Sequence, residues 1–288
     1  MKKLFSVSTL IYICFLIGCS DDNPTNTSAI DKYPTKLGMQ WEYNSIMIIE
    51  YYNSIGYIAD TETLDLGNTI VRIINTNDTL GVYNELVKFE SYDMLTPDQK
   101  KFDWYSNSDT ALSLIAYSNA GATQPVIPKI HGRQYITFNE LLSIIKSPGP
   151  GIFSFSTSTP TDSIYYYEIP RQALAYPLAV NKRWVELIYP WYRERYVEKI
   201  VIKSFQKQSL KCYVVKVDWP GFDIEFNDYI SLDKGLVKRE ILADSIIITD
   251  PSHPDSGGFG RISNYSNLVR IAKWDQTKTD SSLKISKS

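Results

Sequence analysis

Few side chains in this sequence have the spacing that chemistry needs. Asp218, Asp223 and Glu225 flank Trp219 and Phe222. Carboxylates beside aromatic rings could serve glycan hydrolysis, which requires two acids roughly 5–10 Å apart across a cleft. A solvated strand face beside core aromatics is the plainer account. Asp250, His253 and Asp255 share a loop and carry donor types that a divalent cation accepts. Calcium, however, wants denser oxygen ligands and a glycine at a fixed turn position. The other histidine, His131, is far away in sequence, and neither sits in a His-Glu-x-x-His motif. No Gly-x-Ser-x-Gly elbow is present, and Gly257-Gly258-Phe259-Gly260 lacks the strand before it and the helix after it that a phosphate loop needs. The sequence points to no catalytic residue, no metal and no cofactor.

Aromatic clusters are the other candidates. Tyr165-Tyr166-Tyr167 and Trp191-Tyr192 are the densest. Strand alternation puts Tyr165 and Tyr167 on one face and Tyr166 on the other. On an open face, Tyr165, Tyr167, Trp191 and Tyr192 would make a stacking platform for sugars or a groove for an apolar ligand. Cross-strand packing, which sheets favour, explains the same residues without a ligand.

One cysteine has a clearer chemistry. Lys2 and Lys3 precede an apolar run, Leu4 to Ile17, that is short for a membrane-spanning helix. The run ends at Leu16-Ile17-Gly18-Cys19, and a polar stretch from Ser20 to Ser28 follows. Leu16-Ile17-Gly18-Cys19 resembles the lipobox of bacterial lipoproteins at all four positions. The resemblance implies cleavage before Cys19, a diacylglyceryl thioether on Cys19 and acylation of the new N-terminus. Each buried CH₂ is worth about 0.8 kcal/mol, so two or three chains hold stably where one is marginal. Ser20 after the cysteine, followed by Asp21-Asp22, resembles the sorting signals that send lipoproteins to the outer membrane or the cell surface.

With Cys14 removed and Cys19 lipidated, only Cys212 remains, so no internal disulfide can form. Cys212 lies in a strand-like run, Leu210 to Val217, and reads as a small core residue. Lys and Arg number 30 against 32 Asp and Glu, with no basic stripe, which argues against a nucleic-acid partner. Hydrophobic residues make up 43% of the chain, enough for a real core.

The elements that must position these residues are mostly strands. Residues 1–18 read as the signal peptide, 19–30 as a lipidated polar tether, 31–273 as a single β-rich domain and 274–288 as a polar tail. Strands are expected at Ser45–Tyr52, Thr69–Ile74, Val82–Tyr92, Phe102–Tyr105, Ala111–Tyr117, Ser163–Ile169, Arg193–Phe205, Lys211–Trp219, Asp223–Leu232, Gly235–Ile248 and Tyr265–Ile271. Asn77-Asp78-Thr79 reads as the turn of a hairpin, with Tyr83, Glu85, Val87 and Phe89 on one face of its second strand. Thr96-Pro97-Asp98 could open a helical turn, and a capping box at Thr137 and Glu140 starts a short helix through Ile145.

An internal echo stands out. Tyr33-Pro34, Gly38 and Trp41 recur as Tyr176-Pro177, Asn181 and Trp184 within 33–43 and 176–186. Gly and Asn best tolerate positive φ, so each copy predicts a turn that delivers a Trp into a strand. The Tyr-Pro opening, the Lys211-Cys212-Tyr213-Val214-Val215 strand and Asp233-Lys234-Gly235-Leu236 near the end resemble uncharacterised β-rich bacterial lipoproteins. That resemblance implies the curved sheet of lipoprotein-carrier-like folds. The expected class is therefore all-β with minor α, a large curved antiparallel sheet or open half-barrel with one or two short helices. The expected role is a membrane-anchored outer-membrane lipoprotein that binds an apolar, glycan or protein ligand without catalysis, or serves the envelope structurally. A hydrolase using Asp223 and Glu225 is the alternative.

Overall fold

Two six-stranded meanders laid side by side make one twelve-stranded antiparallel sheet. The computed structural model describes residues 31–118, 129–130, 133–134, 164–188, 192–248 and 256–274. The lipobox, the helix expected over 137–145, both histidines, Trp191 and the tail beyond Trp274 lie outside them.

The first meander runs through β1 (Met39–Asn53), β2 (Ile58–Leu80), β3 (Tyr83–Asp93), β4 (Lys101–Asn107), β5 (Ala111–Ser118) and, after the small ribbon of β6 (Lys129–Ile130) and β7 (Arg133–Gln134), β8 (Ile164–Ala175). The second runs through β9 (Arg183–Leu187), β10 (Arg193–Phe205), β11 (Gln208–Asp218), β12 (Ile224–Ser231), β13 (Gly235–Ile247) and β14 (Ser256–Lys273). A full ladder between β1 and β14 joins the halves on one side. On the other side the end strands β8 and β9 return to each other, which nearly closes the sheet into a barrel. Side chains make that seam: Trp184 Nε1 donates to Gln172 O at 3.0 Å, and Arg195 Nη1 donates to Ala173 O at 2.8 Å.

The sequence echo marks the start of each half. Gly38 and Asn181 have φ of 79° and 68°, and each turn feeds a buried Trp into the first strand of its half. Each leading tyrosine then reaches the turn between the fourth and fifth strands of the opposite half. Tyr33 Oη accepts from Leu236 N at 3.2 Å, while Tyr176 Oη donates to Asn107 Oδ1 at 3.0 Å. The two tyrosines also meet, Tyr33 N donating to Tyr176 Oη at 2.9 Å. The repeated motif is thus a pair of reciprocal latches, and Tyr33 and Trp41 are nearly water-free as a result.

Alternation along β1 sets the inner face: Trp41, Tyr43, Ser45, Met47, Ile49 and Tyr51 are all buried. Two apolar clusters fill the interior. One is built on Trp41, Tyr43, Phe89, Leu112, Trp184 and Cys212 beside the Tyr33 and Tyr176 latches, the other on Met47, Ile49, Phe226, Ile241 and Ile262 farther along the strands.

Some local expectations change. The β2–β3 reversal falls at Gly81-Val82, where Gly81 has φ of 61°, and not at Asn77–Thr79. Asp78 stays in the strand, paired with Leu86 across the ladder, and its carboxylate takes both the Thr79 N–H and Trp104 Nε1. Glu85, at φ 57°, breaks the alternation, so Tyr83 packs with Leu86 and Trp104 instead of with Val87 and Phe89. Thr96-Pro97-Asp98 forms a turn, and no helix occurs among the described residues. The first half of β2, Ile58 to Asn68, is strand where its polar composition suggested none; β1 supplies its ladder.

Candidate functional site

Between the two apolar clusters the inner face turns polar. On β1 the interposed residue is Ser45, on β14 Asn264 and Ser266, on β13 Arg239 and on β12 Asp228, each buried. The belt continues through Arg195 and Arg193 on β10, Glu186 on β9 and Arg171 on β8. Four guanidinium groups and two carboxylates are therefore fully enclosed, and charges survive such burial only when paired.

The pairing is dense. Glu186 Oε1 takes Arg171 Nη2 at 2.6 Å and Nε at 3.0 Å, and its Oε2 lies 2.8 Å from Arg193 Nε and 3.5 Å from Arg195 Nε. Asp228 receives Arg195 Nη2 at 2.6 Å and Arg239 Nε at 2.6 Å. Burial by itself would raise the Glu186 carboxyl, but Arg171, Arg193 and Arg195 together bring it down to about 2. Burial pushes Arg193 down to about 9; Glu186 opposes this, and Arg171 and Arg195 add to it. This side of the belt is a lock: it ties β8, β9, β10, β12 and β13 across the seam.

On the opposite side the belt opens to solvent. A cleft of about 270 Å³ lies over β1–β4, at the level of Ser45. It is lined by the hydroxyl residues Ser45, Thr69, Ser91 and Thr96, by Gln99, Asp93 and Lys101, and by Leu66, Tyr92 and Leu95. Its rim is built in advance. Met94 N donates to Asn68 O at 2.9 Å, Leu95 N to Asp93 Oδ1 at 2.8 Å, and Thr96 N to Asp93 O at 3.0 Å. A ligand would meet formed walls and would not have to order a loop. Donors and acceptors of this variety, with apolar side chains beside them, can bind and orient a ligand.

Beyond Lys101 the inner face of β4 carries Asp103, opposite Tyr117, which is opposite Tyr165. Tyr165 and Tyr167 share this face, each 5.5 Å centroid to centroid from Tyr117, while Tyr166 points outward and is 52% exposed. Burial raises the Tyr117 phenol, and Tyr167, Tyr165 and Asp103 push it further. Burial raises that of Tyr167 as well, against the pull of Arg171, to which it is hydrogen-bonded. The tyrosines thus join the cleft side of the belt to the locked side. Tyr192 stands apart and exposed, its hydroxyl on the Glu194 carboxylate. Of the selected aromatics among the described residues, Tyr165 and Tyr167 come together and Tyr192 stands apart.

The suggested acid pair does not share a cleft. Asp223 and Glu225 alternate with buried Ile224 and project from the outer face, exposed. Cys212 is buried, and burial raises its thiol to about 11. Among the described residues no three His, Cys, Asp or Glu side chains converge as a metal site would require.

The belt had an unread signal in the sequence. In Ile224-x-Phe226-x-Asp228-x-Ile230 and Val237-x-Arg239-x-Ile241 the charge falls in phase with the apolar row, so it faces the core. The cleft had none, because its lining comes from four strands and a loop.

No family model matches this chain, and no curated protein does. Among solved structures, an exported protein with a YMCC-like fold from Bacteroides fragilis NCTC 9343, so assigned by its describers, is 11% identical. That match covers 85% of this chain and all of the other, with a TM-score of 0.37. A protein from Parabacteroides distasonis ATCC 8503, assigned as a lipoprotein, is 13% identical over 85% of this chain and 99% of its own, with a TM-score of 0.28. Likenesses this distant carry no inference about the present site.

Proposed function

We propose that the protein is a lipid-anchored, non-enzymatic binding protein of the bacterial outer membrane, and that its cleft over β1–β4 holds a sugar residue or a similarly polyhydroxylated ligand. The observation that carries the binding role is the preformed cleft. Four hydroxyl residues, an amide, a carboxylate and an amine suit the alternating donors and acceptors of a sugar ring, and Leu66 and Leu95 suit its apolar face. Tyr165 and Tyr167 extend the same inner surface with aromatic rings. The anchor rests on Leu16-Ile17-Gly18-Cys19, and the outer-membrane address on Ser20 and the acids after it.

The test is calorimetric titration of the full chain in detergent with glucose, galactose, N-acetylglucosamine and glucuronate, alongside Ser91→Leu, which fills the cleft. At least one sugar should bind saturably, with Kd on the order of 1 mM or tighter, about −4 kcal/mol, and the variant should lose it. Binding that Ser91→Leu leaves intact, or no binding across the panel, would remove the reading. For the anchor, Cys19→Ser should move the protein from the detergent to the aqueous phase on cloud-point partition.

A further inference from the structure

The β10–β11 hairpin has two unlike faces. Phe205 and Leu210 are buried on one of them, in the cluster that also holds Tyr33 and Tyr176. Ile202 pairs with Lys211 across the hairpin, Ser204 with Ser209 and Ile200 with Tyr213, so these residues share the other face. There Ile200, Ser204, Ser209 and Lys211 are exposed, and Ile202 is exposed by 66%.

The hairpin's charge is of one sign. Lys199, Lys203, Lys207, Lys211 and Lys216 fall within Lys199–Val217, with no Asp or Glu among them. Lys199 and Lys216 lie 3.1 Å and 2.8 Å from the Glu198 carboxylate, so that one preceding acid is already answered. Lys203 lies over the Tyr229 ring and Lys211 over that of Tyr213, 4.4 Å and 5.2 Å from the centroids. The rings steady these side chains and leave their charge in place. Lys207 stands exposed on the turn. At the opposite end of the same strands the exposed charges are acidic, with Asp218 on β11 and Glu225 on β12.

Position gives this face its occupant. Phe205 and Leu210 share a cluster with Tyr33, and Lys32 Nζ lies 2.6 Å from Asp109 Oδ1 on the β4–β5 turn. The hairpin tip and Asp31 therefore lie on one rim of the sheet. The tether, residues 19–30, spans at most about 40 Å when fully extended, so a bilayer holding Cys19 is no farther than that from Asp31. Each lysine near an anionic bilayer adds about fivefold to affinity. Aliphatic side chains beside the lysines enter the boundary between headgroups and acyl chains.

We propose that the β10–β11 hairpin docks on the anionic phospholipid surface that holds the anchor, with Lys207 and Lys211 on headgroup phosphates and Ile200 and Ile202 in the interface. The inference takes its membrane from the anchor reading and uses none of the residues that line the cleft. It turns Asp218 and Glu225 away from the bilayer.

The experiment reconstitutes the full lipidated chain into vesicles of phosphatidylcholine, alone or with about one-third phosphatidylglycerol. An environment-sensitive fluorophore is placed on Ile202→Cys, and on Glu225→Cys as the control at the opposite end; Cys212 is buried and does not compete. Flotation reports the anchor, and emission reports the hairpin. The label at 202 should shift to the blue on the anionic vesicles only, and about 0.5 M NaCl should remove most of the shift by screening. Adding Lys207→Glu and Lys211→Glu should abolish the shift, and the label at 225 should not move in any condition. Equal emission on both vesicles, with the chain afloat on both, overturns the hairpin contact and leaves the anchor intact. A shift that resists both salt and charge reversal overturns it as well. So does a shift that grows with protein density on neutral vesicles, which would make this face a contact between copies of the chain. Flotation with anionic vesicles alone would overturn the anchor and keep the hairpin contact, and flotation with neither overturns both.

Discussion

Replacing Glu186 by Gln tests the locked side of the belt most severely. The substitution keeps the shape and removes the one carboxylate shared by Arg171, Arg193 and Arg195. Arg171 and Arg193 then face a neutral amide, while Arg195 keeps Asp228. Breaking a buried pair by removing one partner costs about 3–5 kcal/mol. The carboxyl itself gives a similar figure: a fall from 4.5 to about 2, at about 1.36 kcal/mol per pH unit, is about 3 kcal/mol. Chains of this size lose about 2–4 °C per kcal/mol, so Tm should drop by about 6–20 °C at pH 7. The sign with pH follows from a folded-state value below the unfolded one. The carboxylate's contribution is complete above about pH 4.5 and is lost as pH falls towards 2. Urea unfolding of both proteins from pH 7 to pH 2 is the assay, and the gap between them should close in acid. Equal stability at pH 7, or a gap that persists unchanged to pH 2, would refute the claim that this ion cluster holds the seam.

Other substitutions discriminate further. Arg193→Met should leave stability within about 1 kcal/mol of the native chain or raise it, because burial outweighs the attraction of Glu186 for Arg193 while Arg171 still satisfies Glu186; a loss as large as that of Glu186→Gln in urea unfolding would contradict this. Gly235→Ala should cost about 2–3 kcal/mol by the same assay, since φ is +90° and a Cβ would lie 2.8 Å from Tyr33 Oη and 3.2 Å from Trp41 Nε1. The Cys212 thiol, raised to about 11, should resist maleimide at pH 7.5 until urea unfolds the sheet, and rapid labelling of the native protein would show it to be accessible.

Strand identity was legible wherever hydrophobic alternation or a β-branched run was strong, as in Arg193–Phe205, which matches β10 end to end. The echo of Tyr33 and Trp41 in Tyr176 and Trp184 was legible as turn chemistry, and the structure gives it a reason: each copy latches one half to the other. The turn at Gly81 was missed because Asn77, Asp78 and Thr79 satisfy local hydrogen bonds that imitate a turn while the strand continues. The first half of β2 was missed because Asp60, Thr61, Glu62 and Thr63 have the polar composition of a loop, while the ladder to β1 holds them in a strand. Arg193 and Arg195 concealed the belt for another reason. A buried arginine needs a carboxylate, and their partners Glu186 and Asp228 come from other strands, so neither charge could be placed inside before the seam was known.

The binding role stands or falls on the cleft. Backbone amide chemical-shift mapping of the full chain, with whichever sugar titrates, tests it directly. If the cleft is the site, the shifted amides will cluster at Leu66–Thr69 and Ser91–Lys101, with Tyr165 and Tyr167 next and the outer face of β12 silent. Shifts confined to the exposed Tyr192 loop, or to Asp223 and Glu225, would contradict it and place binding on the outside of the sheet.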